Sequence, residues 1–318
     1  MHLLPTPEQR ELRSAVRAIC ESEFPAERLG AEASTLDRGL WRRLGEMGLF
    51  ALRLPEVDGG VGLGTAEAVL AFEELGRALV PGPLVATHLA TPYLPGAATG
   101  ERLAGIVDLR EAPLLVEHHA DLDDLLLLDG DRLLRADPAA VPARPVERPL
   151  DPWTPVSVAA APPDGEPVAQ GPAVAALRRD GALLTAALQV GIAAAVLDRA
   201  VRYVGEREQF GRPVGAFQAV KHAAADMLVR LELARSAVWA AAATCDAPEA
   251  GDPDRAVAAA KLLAGEAATK NSLAAVQLHG GMGFAWEVDV HFFLKRSWLH
   301  DTCWGDADTH AEALAAAL

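Results

Sequence analysis

Two short segments, 70 residues apart from Arg207 to Gln277, hold residue types suited to gripping a polyanion. The first runs Arg207-Glu208-Gln209-Phe210-Gly211-Arg212-Pro213 and continues, past a short break, as Phe217-Gln218-Ala219-Val220-Lys221-His222. A guanidinium donates two parallel hydrogen bonds to paired oxygens, so the arginines suit a pyrophosphate, while the amides of Gln209 and Gln218 suit sugar hydroxyls. The second is Gln277-Leu278-His279-Gly280-Gly281-Met282-Gly283-Phe284, where a helix ends in glycines that let a backbone or a flat ligand approach closely. Taken singly, each has a plainer reading: helix-end cations in a solvated loop, and a glycine C-cap.

Other candidates are weaker. The loop Leu54-Pro55-Glu56-Val57-Asp58-Gly59-Gly60-Val61-Gly62-Leu63-Gly64 lacks the G-x-G-x-x-G spacing and any surrounding βαβ unit, so it reads as a connection. His222, His279 and His291 have no metal-ligand spacing, and no metal site is expected. Asp301, Asp306 and Asp308 read as caps of a terminal helix. Cys20, Cys245 and Cys303 are odd in number and scattered, which points away from a disulfide framework and toward a reducing, cytoplasmic setting.

The elements that must hold these segments are mostly helical. Hydrophobic residues make up 51% of the 318 but aromatics only 5%, so the apolar content is largely Ala, Leu and Val. Thr6-Pro7-Glu8-Gln9 marks a helix start, with the helix running to about Phe24. A second helix begins near Leu36 and stops at Gly48, and a third follows Thr65 to Gly76 or Leu79. Ten of the 22 prolines fall between Pro138 and Pro172, which excludes long helices there and leaves room for roughly five or six short strands. Leu125–Leu128 and Leu133-Leu134, joined at Gly130, read as a hairpin. Helical pattern returns near 174–207, 217–246, 254–279, 286–300 and 306–317, a four- or five-helix bundle. The expected organisation is an N-terminal helical domain (1–105), a reduced Pro-rich β domain (106–172) and a C-terminal bundle (173–318).

With 29 Lys and Arg against 44 Asp and Glu, the net charge of -15 repels nucleic acid, and an anionic ligand must meet a local basic cluster. No signal peptide is read at the N-terminus. The apolar run Ala182–Leu197, broken by Thr185 and Gln189, falls short of the roughly 20 residues a membrane span requires and is read as a core helix.

Together, the two anion-suited segments resemble the R-x-Q-F-G and Q-x-x-G-G-x-G signatures of the acyl-CoA dehydrogenase family. Leu40-Trp41-Arg42-Arg43-Leu44-Gly45-Glu46-Met47-Gly48-Leu49, the Pro-Glu-Val-Asp-Gly-Gly loop and Glu73-Glu74-Leu75-Gly76-Arg77 resemble its N-terminal domain. Asp226-Met227 and Glu232-Leu233-Ala234-Arg235 resemble its C-terminal bundle. The likeness is clear over 36–85 and 180–300 and poor between. It implies a mostly α fold with a small β domain, and FAD held at a subunit interface. Arg207 becomes a pyrophosphate contact, Gln209 and Phe210 dinucleotide contacts, Gln218 an adenosine-side contact, and Gln277, Gly280 and Gly281 a pyrophosphate-side wall. The family reaction oxidises an acyl-CoA to the 2-enoyl-CoA, with electron-transfer flavoprotein or a similar acceptor downstream.

The chain departs from the family at two points. Where a Tyr-Glu-Gly-Thr motif carries the base, this sequence has Trp304-Gly305, and where some relatives carry an alternative glutamate it has Asp180-Gly181. The β-domain string T-E-P-x-x-G-S-D is absent. This pattern is similar to the partner subunits of heteromeric (α2β2) actinobacterial-type acyl-CoA dehydrogenases, implying a heterotetramer with a homologous subunit. Asp180 and Asp301 remain candidate bases for a self-sufficient homo-oligomeric enzyme, and a non-catalytic scaffold is a third reading.

Overall fold

The computed structural model describes residues 5–24, 36–161 and 164–316. These form two compact units that interleave along the chain: residues 1–32, 65–80 and 182–318 belong to the first, and 33–64 and 81–181 to the second.

The first unit is helical. Helix α1 (Pro7–Glu23) starts at the expected capping box, with Thr6 and Gln9 exchanging side-chain and backbone bonds. Helices α3 (Thr65–Arg77), α5 (Pro172–Glu206, from Ala182 onward in this unit), α6 (Gln218–Asp246), α7 (Pro253–Leu278), α8 (Val290–Thr302) and α9 (Ala307–Ala316) follow. Asp252 caps α7 by accepting from Asp254 N and Arg255 N, and Pro253 takes the first helical position. The most apolar stretch of α5 is wholly buried, as befits a helix without a polar face.

Helices α3 and α5 touch backbone to backbone. A Cβ on Gly76 would lie 2.1 Å from Leu188 O, and one on Gly191 2.0 Å from Glu73 O. This close approach buries Glu73 and Glu74, which need cationic partners. Arg13 reaches Glu73 at 2.7 Å and Glu74 at 2.6 Å, Arg17 reaches Glu74 at 2.7 Å, and Arg235 of α6 reaches Glu73 at 3.0 Å. Burial alone would raise the Glu74 carboxyl, but hydrogen bonds from Arg17 and Arg13 carry it below its ordinary value. Burial pushes the neighbouring Cys20 thiol up to about 12, so it behaves as a small apolar group.

The second unit holds α2 (Arg38–Glu46), α4 (Leu84–Ala90), the first residues of α5, and two sheets. Strands β1 (Ala104–Asp108), β3 (Asp124–Asp129), β4 (Arg132–Ala136) and β7 (Glu166–Gln170) form one sheet in the order β1-β3-β4-β7. Strands β2 (Leu115–Glu117), β6 (Val156–Ala159) and β5 (Ala143–Pro145) form the other, in the order β2-β6-β5. The hairpin expected at Gly130 is β3–β4, with Gly130 at φ +62°. Leu125 and Leu127 enter the core beside Val107, Val116 and Val141, and Leu126 and Leu128 are buried too. That explains an unbroken leucine run in place of alternation. Among the described residues of this unit seven strands stand where the sequence led us to expect five or six. The excess comes from the three-residue β2 and β5, and Pro145 and Pro167 are confined to the edge strands β5 and β7. Arg178, early in α5, binds Asp108 at 2.6 Å and donates to Gly130 O, anchoring the hairpin turn.

Two outcomes follow from this packing. Gly191→Ala should destabilise by about 2 kcal/mol or more through overpacking, despite alanine's better helix propensity. Gly205→Ala, in the same helix with nothing within 4 Å of its added methyl, should stabilise by up to about 1 kcal/mol; urea denaturation of both variants distinguishes the two. In the second unit, burial and then the Arg53 charge push the His88 imidazole down to about 3 from 6.5. Above pH 6.5 neither folded nor unfolded chain binds this proton. As pH falls from 6.5 toward 3 only the unfolded chain does, and stability drops by about 1.4 kcal/mol per pH unit. The stability advantage of the protein over His88→Gln should therefore narrow between pH 7.5 and 4.5, and a constant difference would contradict the assignment.

Candidate functional site

The two anion-suited segments meet in the first unit. Helix α5 closes with Arg207 N donating to Tyr203 O at 2.8 Å, and the chain then folds into a two-stranded hairpin, β8 (Glu208–Gln209) and β9 (Arg212–Pro213). Phe210 and Gly211 form its turn with φ +55° and +75°, the left-handed pair a tight two-residue hairpin requires. Val214 N returns to Arg207 O at 2.7 Å, and Gln218 opens α6.

Tyr203 links this hairpin to the end of α7. Its ring stacks on His279 with centroids 4.2 Å apart, and its hydroxyl lies 3.4 Å from His279 O. His279 is buried, with Nδ1 2.7 Å from Ala275 O. The next residue, Gly280, turns at φ +61°. The motif glycines divide into two kinds. A Cβ on Gly280 or Gly281 would meet nothing within 4 Å, whereas one on Gly283 would lie 2.3 Å from Val276 O. Gly283 is therefore needed for packing and Gly280 for its left-handed backbone, while Gly281 leaves the surface low and open.

All seven predicted cofactor residues, Arg207, Gln209, Phe210, Gln218, Gln277, Gly280 and Gly281, are exposed. Among the described residues the Arg207 guanidinium and the Gln218 and Gln277 amides have no partner, and Gln209 Nε2 donates only to the adjacent Glu208 O. Arg212 instead lies over the Phe217 ring at 4.1 Å, which also takes the edge of Phe210 at 6.2 Å. Guanidinium and amide groups and bare backbone are the chemistry a polyanion requires, and none of the seven is a carboxylate or nucleophile that could transfer a proton.

Some features were not foreseen. Phe210 is 92% exposed, Phe284 76%, Trp286 54% and Met282 48%. Large exposed rings of this kind mark a contact surface. The Tyr203–His279 stack was also missed, since nothing local to either residue signals a partner 76 positions away. Candidate bases lie elsewhere. Asp180 belongs to the second unit, is buried, and is paired with Arg53 at 2.8 Å and Arg179 at 3.4 Å. Asp301 packs against Gly265 of α7. Trp304 takes φ +60° and Gly305 φ +90°, with His310 Nε2 3.0 Å from Trp304 O.

Comparison with known proteins assigns the frame in which this site sits. Residues 6–101 match the profile described as acyl-CoA dehydrogenase, N-terminal domain, and residues 176–318 match acyl-CoA dehydrogenase, C-terminal domain. The chain belongs to the acyl-CoA dehydrogenase family. It is 36% identical to the acyl-CoA dehydrogenase IpdE2 of Mycobacterium tuberculosis over 93% of this chain and 92% of that protein. Among solved structures, a Tcur3481-Tcur3483 steroid ACAD variant superposes with TM-score 0.82 at 26% identity, covering 97% of each chain. The ChsE4-ChsE5 complex of M. tuberculosis gives TM-score 0.82 at 21% identity, over 99% of this chain and 98% of that one; this last likeness establishes the fold. The cofactor of the family is FAD, and the open backbone at Gly280-Gly281 and the unpaired Arg207 guanidinium are each of the chemistry its diphosphate would require.

The stack that joins the two segments is testable without any ligand. Tyr203→Leu should cost about 1 kcal/mol, the usual worth of an aromatic pair beyond its buried area. It should also speed amide exchange in the Glu208–Pro213 hairpin. Unchanged exchange there would show that Tyr203 does not anchor the turn.

Proposed function

We propose that this chain is a subunit of a heteromeric FAD-dependent acyl-CoA dehydrogenase and contributes the tip of its C-terminal bundle to an FAD site completed by a homologous partner. The observation that carries the reading is the open, cationic tip itself: unpaired Arg207, Gln218 and Gln277 beside two glycines with empty space before them. A site complete within one chain would enclose its ligand, whereas these groups face outward among exposed aromatic side chains. In this reading Arg207 binds the diphosphate, the amides of Gln209, Gln218 and Gln277 orient it, Phe210 packs on it, and Gly280 and Gly281 admit it. When bound, FAD accepts the hydride from the acyl β-carbon.

The α-proton must go to a carboxylate, and the partner supplies it. By the resemblance to the family's motif, Trp304 stands where its base is expected, and an indole donates a hydrogen bond but accepts no proton. Asp180 is buried in the second unit and its carboxylate is held by Arg53 at 2.8 Å and Arg179 at 3.4 Å, which gives it a structural task. The IpdE2 likeness and the two-chain names of the Tcur3481-Tcur3483 and ChsE4-ChsE5 structures support a two-subunit assembly.

Co-expression with homologous subunits should yield a yellow complex that acyl-CoA bleaches, while this chain alone should purify without stoichiometric flavin. In that complex Arg207→Ala should weaken FAD binding by about 1.5–3 kcal/mol, the worth of a charged hydrogen bond, and Asp180→Asn should leave turnover within about twofold. Full flavin occupancy and bleaching in the isolated chain would overturn the division of labour. Undiminished FAD affinity in Arg207→Ala would leave only a scaffold.

A further inference from the structure

A groove of about 570 Å³ opens along α7 within the first unit, bounded by α9 and the end of α8. Its volume lies within the range of about 300–1,000 Å³ typical of small-molecule sites. Leu262, Leu263, Ala307 and Leu314 make it largely apolar. Lys261, Gly265 and Thr269, spaced four apart, run along one face of α7 as its floor.

Polar groups without partners lie on this floor, at Asp301 and Thr269, and directly behind it, at Gln189. A Cβ on Gly265 would lie 2.5 Å from Asp301 Oδ1 and 3.5 Å from Gln189 Nε2. Glycine in a helix interior is destabilising relative to alanine, and here, within an alanine-rich helix, it makes room for a carboxylate. Among the described residues Asp301 has no hydrogen-bond or ion-pair partner. Gln189 is fully buried with both amide atoms unpartnered, and the Thr269 hydroxyl is buried and unpartnered too. Polar atoms left without partners beside one apolar groove need a hydrogen-bonding group, which a water or a ligand hydroxyl can supply. Lys261 Nζ already donates to His300 O at 2.9 Å, and Glu266 pairs with Lys270 at 2.5 Å. Lys261 and Lys270 balance Asp301 and Glu266, and burial holds the His310 imidazole below its ordinary pKa, so the lining carries no net charge. A charged head group therefore gains nothing from the lining as a whole. A hydroxyl can donate to Asp301 and accept from Gln189 Nε2 at once.

We infer that the α7–α9 groove is a second ligand site, separate from the dinucleotide surface, for an uncharged molecule with an apolar body and a hydroxyl head held between Asp301, Gln189 and Thr269. The inference does not depend on the FAD reading. It is tested on the full chain by methyl NMR titration with 1-hexanol, hexanoate and hexylammonium, three probes of one chain length and different charge. 1-Hexanol should shift the Leu262, Leu263 and Leu314 methyls saturably with Kd on the order of 1 mM, and the charged probes should bind at least fivefold more weakly. Gln189→Leu should raise Tm, by removing an unpartnered buried amide, and weaken 1-hexanol at least fivefold; Gly265→Ala should block the site. Equal binding of the three probes, no saturable shift, or Gln189→Leu with unchanged affinity or a lowered Tm would each overturn the assignment.

Discussion

Backbone contact between α3 and α5 is the constraint around which the helical unit is arranged. Two helices meeting through Gly76 and Gly191 come closer than side chains ordinarily allow. The approach gains dispersion contacts along both helices, but it carries Glu73 and Glu74 out of water. The carboxylates are tolerated because arginines arrive from two directions, Arg13 and Arg17 on α1 and Arg235 on α6. The same ion pairs that offset the burial therefore dock α1 and α6 onto the α3–α5 pair. Removing one guanidinium would leave a buried charge, so the network orders the unit even where its net energy is small.

With α5 held along its length, its C-terminal end becomes a fixed mount for the 207–213 hairpin. The stack of Tyr203 on His279 then brings the end of α7 alongside. In a chain of net charge -15 this surface carries the exposed guanidinium groups of Arg207 and Arg212, so an anion bound there would be held by local rather than global electrostatics. The three motif glycines have different reasons: Gly280 is required by its φ of +61°, Gly283 by the close approach of Val276 O, and Gly281 alone has room for a methyl at an ordinary φ.

The acids divide by surroundings. Asp180 is ion-paired with Arg53 and Arg179, and Asp301 sits unpartnered against a helix glycine in an apolar groove. A carboxylate already engaged by guanidinium groups has a structural task, whereas one without a partner is available to a ligand. Residue type alone made these two aspartates equivalent candidates, and their neighbours separate them.

Features encoded within a few residues were legible before any coordinates. The Thr6 capping box, the Asp252-Pro253 start of α7 and the Gly130 turn depend on interactions between near neighbours in the chain, and each leaves a local pattern. Helix α4 left none, because it begins at Pro83 without a side-chain cap. Everything resting on distant partners had to await the tertiary structure. The parallel pairing of β1 with β3, the reach of Arg53 to Asp180 across 127 positions, the Tyr203–His279 stack and the apposition of Gly265, Asp301 and Gln189 are of this kind. The residue types were visible in the chain, but which of them share a few ångströms is decided by packing, since burial and backbone approach are properties of the whole fold rather than of neighbouring residues.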